Sequence, residues 1–93
     1  MKNTITKAKI EKYLALTSKA LIEAKKKINS KHKKAAKEII EMVTCYLSDA
    51  KYFETEKDYV NAFAAINYAH GWLDTGARLN IFKVKDNKLF TIR

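Results

Sequence analysis

Residues 58–79 read DYVNAFAAINYAHGWLDTGARL, and the packing of this stretch decides the fold. It is the most apolar and aromatic part of the chain, and it holds both glycines and the only tryptophan. Tyr59, Ala62, Phe63, Ile66, Ala69, Leu73 and Ala77 recur in steps of three and four, which places them on one face of a helix. Ala65, Tyr68, Trp72 and Leu79 form a second apolar strip beside the first. A helix apolar on two sides needs partners on two sides, so 58–79 is expected to be the central helix of a small bundle. Asp58 is its expected cap and Asn80 its expected stop. Gly71 in mid-helix costs about 1 kcal/mol against alanine, so something is expected to need its space, a packed neighbour ahead of a ligand. Gly76 is expected to let another backbone approach closely.

Two further helices are predicted upstream. Ile10, Leu14, Thr17, Leu21, Ala24 and Ile28 make a heptad-like seam over about 4–28, with Asn3 or Thr4 as cap. Asn29 and Ser30 break the pattern, with Ser30 as the expected cap of a second helix. That helix, over about 31–55, carries the seam Ala36, Ile39, Val43, Tyr46, Ala50 and Phe53. At about 25 residues each, the helices would be near 37 Å long and suited to antiparallel packing. In the tail, 81–93, the pair Asp86-Asn87 separates two short β-prone runs, which predicts an extended or hairpin segment. The expectation is therefore one all-α domain, a three-helix antiparallel bundle with a short tail.

Composition agrees. Ninety-three residues without proline and with two glycines favour long helices over a turn-rich β fold. Cys45 is the sole cysteine, which excludes an internal disulfide, and a small buried or half-buried thiol is expected there. Lysines interrupt the N-terminal stretch, so it does not read as a signal peptide, and no apolar run is long enough to cross a bilayer. These features point to a cytoplasmic protein without membrane contact.

The net charge of +9 is lopsided. Residues 1–37 hold twelve lysines against Glu11 and Glu23, whereas 38–93 are nearly neutral. Lys25, Lys26, Lys27, Lys31, Lys33, Lys34 and Lys37, with His32, should gather at one end of the bundle. The first three sit at a helix C-terminus, where cations are favoured; the next ones open a helix, where they are not. This cluster is a candidate site for a polyanion such as RNA or DNA. It contains no arginine and no aromatic residue for base stacking, so only weak binding without sequence preference is expected.

A second candidate is Asn67, His70, Asp74 and Arg78, which could line one side of the central helix. Asp74 and Arg78 have the i,i+4 spacing of a helical ion pair. Together the four offer an amide, an imidazole, a carboxylate and a guanidinium, a set able to hold a phosphate or a polar metabolite. The plain structural alternative is a solvated stripe with a surface ion pair and a histidine bonded inside the fold. His32, Cys45 and His70 lack zinc-ligand spacing, and there is no glycine-rich phosphate loop or dinucleotide fingerprint. No cofactor and no catalytic residue is expected.

YLALTSKAL (13–21), YLSDAKYF (46–53), DYVNAFAAINYAHGWLDTGARL (58–79) and LFT (89–91) resemble, in this order, the signature blocks of the DUF357 family. The resemblance implies a small helical bundle in an archaeal cytoplasm, and no established activity comes with it. The favoured expectation is a non-catalytic interaction module, self-associating or bound to a protein partner through the central helix and the tail. Polyanion binding through the lysines comes second, and a metabolite binder or enzyme using His70, Asp74 and Arg78 third.

Overall fold

In a computed structural model, residues 4–91 of the chain are described, as three α-helices and a folded-back tail. The helices are α1 (Lys7–Lys26), α2 (Lys33–Thr55) and α3 (Tyr59–Arg78), with a 3₁₀ turn at Ser30–His32 before α2. They run antiparallel, and α3 packs against both others. No strand occurs among the described residues, only one antiparallel bridge between Ile28 and Phe82.

The helix ends follow from local chemistry. Thr6 caps α1 by accepting from the Lys9 N–H at 3.2 Å, two residues later than expected; Asn3 lies outside the described residues. Ser30 does not cap α2. Asn29 accepts from the Lys31 N–H at 3.0 Å and starts the 3₁₀ turn, which leaves His32 as the N-cap of α2 with no side-chain bond. Asp58 caps α3 as expected, by accepting from the Asn61 N–H. Helices α2 and α3 end alike: Asp58 N–H donates to Phe53 C=O and Ile81 N–H to Gly76 C=O, each at 2.8 Å. Both ends require one left-handed residue, and Lys57 (φ 59°) and Asn80 (φ 60°) supply it.

The core has two parts. Ile10, Ala50, Ala62, Ala65 and Ile66 fill the end near the α2–α3 turn. Ala20, Leu21, Ala24, Ala36, Ile39, Val43, Leu47, Ala69 and Leu73 fill the other, and the tail completes it with Ile81, Phe82, Leu89 and Phe90. Residues 81–83 pair with the α1–α2 turn: Asn29 N–H donates to Ile81 C=O and Lys83 N–H to Lys27 C=O. Buried Asn29 also donates its amide to Asn80 C=O at 2.8 Å, joining the turn to the end of α3. The tail forms no hairpin of paired strands among the described residues: its apolar residues bury themselves against the helices, and it turns at 87–89, where Phe90 N–H donates to Asp86 C=O; Ile92 lies outside the described residues. Cys45 is exposed, contrary to the buried thiol expected, since the core face of α2 passes through Val43 and Leu47. No helix among the described residues is long and apolar enough to cross a membrane.

The two glycines of α3 have opposite surroundings. A Cβ on Gly76 would lie 2.5 Å from the fully buried Phe82 ring, so the close approach there is made by an aromatic side chain and not by the backbone expected. A Cβ on Gly71 would meet nothing within 4 Å, so no neighbour in the fold requires that glycine. Gly76→Ala should therefore lose about 1–3 kcal/mol of stability by overpacking. Gly71→Ala should gain about 0.5–1 kcal/mol in the isolated chain, from helix propensity alone. Urea denaturation at high dilution measures both, and equal effects at the two sites would contradict this packing.

Candidate functional site

Of the four polar residues on α3, the fold brings two together. His70 lies between α1 and α3: its Nδ1 is 3.0 Å from the hydroxyl of buried Thr17 on α1. Its Nε2 is 3.7 Å from an Asp74 carboxylate oxygen, and that same oxygen accepts the Thr91 N–H of the tail at 2.8 Å. His70 and Asp74 thus form a chain of contacts from α1 through α3 to the tail. Asn67 and Arg78 are not part of it. Asn67 is exposed beside Tyr68, Gly71, Trp72 and Thr75, and Arg78 makes no ion pair among the described residues. The expected Asp74–Arg78 pair does not form, because Asp74 turns toward His70 and the tail.

The arrangement joins elements: Thr17 and His70 tie α1 to α3, and Asp74 ties α3 to the tail. No cluster of three or more His, Cys, Asp or Glu able to hold a metal occurs among the described residues.

The lysines do gather. Lys25, Lys26 and Lys27 end α1, Lys31 lies in the 3₁₀ turn, and Lys33, Lys34 and Lys37 open α2, all exposed. Lys33 and Lys37 border a shallow depression with Ile28, Ser30, Ile40 and Glu41. Among the described residues only Lys26 of this group has an acidic partner, Glu23 at 3.6 Å. The first turn of α2 contains no carboxylate.

The packing shows which side of the central helix is left open for the contact expected there. The second apolar strip of α3 is not fully covered: Ala65 is buried and Trp72 partly so, but Tyr68 is 55% exposed and Leu79 60%. Val60, 68% exposed, extends the same outer face. Open depressions run along α2 and α3 here, lined by Met42, Tyr46, Ala64, Tyr68, Gly71, Trp72, Thr75 and Leu79 among others. Their only charged lining residues are Glu38, Glu41 and Asp49 of α2. Tyr46 and Tyr68 stack across the two helices with ring centroids 4.6 Å apart. Burial, and then the neighbouring Tyr68 phenol, push the Tyr46 hydroxyl above its ordinary pKa of 10.0. The sequence signals for this face were Gly71 and the absence of Lys, Arg, Asp and Glu from 59–73.

Residues 12–82 match the family described as "Protein of unknown function (DUF357)". The chain belongs to the DUF357 family. No curated protein and no solved structure matches it. In this DUF357 chain the matched region begins within α1, covers α2 and α3 whole and ends at Phe82, the residue seated on Gly76.

If the Thr17–His70–Asp74–Thr91 chain joins the elements, its members act on different parts of the fold. Thr17→Val should cost about 1 kcal/mol of global stability, as a buried hydroxyl partner is lost. Asp74→Ala should speed exchange of the Thr91 amide while leaving the amides of α3 protected. NMR-detected hydrogen exchange on both variants checks this, and a protected Thr91 amide in Asp74→Ala would contradict it.

Proposed function

We propose that this DUF357 chain is a non-catalytic protein-interaction module whose contact surface is the outer face of α3 and the adjoining edge of α2. One observation carries the reading: Gly71 sits on an exposed helical face, weakens the helix, and has nothing against it. Around it lie large apolar side chains without a charged residue on α3 until Asp74. Surface helices of soluble domains usually carry charged residues on their solvent side, and exposed apolar faces rimmed by polar groups mark contact sites. The tail bears on the same reading, since its described apolar residues are largely taken up by the core, so that of the two contact surfaces expected, α3 and the tail, α3 stays open.

Photo-crosslinking tests it in cells of the source organism. A benzophenone side chain at position 64 or 75 should give protein adducts, and one at Lys12 on α1 should give none. No adducts from 64 and 75, or equal adducts from all three positions, would count against the interaction reading.

A second reading rests on the lysine end. An α2 N-terminus with no side-chain cap, no carboxylate in its first turn and lysines on both sides favours anions. Weak polyanion binding there should fall steeply with salt. Replacing Lys31, Lys33 and Lys34 by Gln should abolish retention of single-stranded RNA at low salt in a filter-binding assay. Unchanged retention would rule out this site.

A further inference from the structure

The outer face of α3 fits itself. Val60, Ala64, Tyr68, Gly71, Thr75 and Leu79 follow one another in steps of four and three, so they form one line along the helix, large residues at its ends and a notch near its middle. Set two such lines antiparallel with the midpoint between Ala69 and His70. Val60 then falls opposite Leu79 of the other copy, Ala64 opposite Thr75, and Tyr68 opposite Gly71. The two most exposed aliphatic side chains of the helix meet, and each tyrosine ring lies over the one position without a side chain. Arg78, the sole charged residue of the line's surroundings on α3, falls opposite the neutral amide of Asn61.

We propose that a second copy of this chain is the occupant of this face, packed antiparallel on α3 with Tyr68 of each copy over Gly71 of the other. The proposal rests on the interaction reading above and names its partner. Charge permits it despite the +9 on each chain. Most of that charge is on α1 and the α1–α2 turn, and α1 packs on the side of α3 that carries Phe63 and His70, away from the contact. The antiparallel arrangement also sends the two lysine ends to opposite ends of the pair. The area is modest. The contact runs about 28 Å along α3 and about 20 Å across with the edge of α2, on the order of 600 Å² per copy. That is the low end for specific interfaces, so the dimer should be reversible, with a Kd in the micromolar range. A helix notch at Gly71 suits such a contact, because the absent side chain lets a facing ring or backbone come close.

Sedimentation equilibrium of the full chain should show twice the 10.7 kDa chain mass at high concentration, dissociating on dilution. Added salt should strengthen the association, because the two copies repel; polyanion binding moves the opposite way. Gly71→Gln should weaken dimerisation about tenfold or more while melting no lower than the parent at high dilution, since Gln is the better helix former. The register is read from disulfides, on a Cys45→Ser background. Chains with Val60→Cys and chains with Leu79→Cys should crosslink to each other when mixed, and neither should crosslink to itself. A monomer at all concentrations up to about 1 mM would overturn the proposal, as would same-position disulfides or a dimer indifferent to Gly71→Gln. In the monomer case, position-specific photo-adducts with another protein would still uphold the interaction reading, and their absence would remove both.

Discussion

The structure depends on α3 being covered along its inner side by three different elements at once. Helix α1 reaches it through Tyr13 against Phe63 and Thr17 against His70, and α2 lies along Ala65 and Ala69. The tail closes the remaining gap by seating Phe82 on Gly76 and Ile39. That last contact is the tightest constraint in the fold, since a single added methyl at Gly76 meets a ring that is fully buried. It also fixes where the tail begins. The left-handed turn at Asn80 aims Ile81 and Phe82 back into the core, and buried Asn29 holds both the Asn80 carbonyl and the start of the next turn. One end of the molecule is thus locked by a few directional bonds around one aromatic residue.

Charge and apolar surface are sorted onto opposite parts of the molecule. Lysines crowd α1 and the entry to α2, where misplaced cations cost only a few tenths of a kcal/mol each at an exposed helix start. The outer face of α3 is nearly free of charge. A chain that needed only solubility could place any of its nineteen basic residues there at no cost to the core. The separation is the physical basis for proposing contact with protein on α3 and contact with anions at the lysine end. His70 and Asp74, by contrast, are tied up between α1 and the tail. An imidazole and a carboxylate in that position join elements, which is why the four polar residues of α3 do not come together.

The helices were legible because their seams are long and regular, and the cap at Asp58 and the stop at Asn80 are local features that need no tertiary information. At Gly76 the need for space was legible, but its occupant, the Phe82 ring in place of a backbone, was not. What the sequence hid depends on distant neighbours. The partner of His70 is Thr17, fifty-three residues away, and no spacing rule connects them. The tail has the alternation of a hairpin, but Asp86 instead accepts from the Lys88 N–H, and burial of Leu89 and Phe90 outweighs strand pairing. Gly71 read as a packing position because mid-helix glycine usually is one, and only the packing of the three helices turns it outward. The same ambiguity put Tyr68 and Leu79 in an inner strip: when most positions of a helix are apolar, periodicity alone cannot rank its sides.

The central claim is that α3 is one unbroken rod on which the other elements are assembled, so that it cannot open unless the whole fold does. Native-state hydrogen exchange in low concentrations of urea measures this residue by residue. The account predicts that amides from Ala65 to Leu73 are the slowest in the chain and exchange only by global unfolding, with the tail opening at lower free energy. Exchange of α3 through a local opening, while α1 and α2 remain protected, would contradict it.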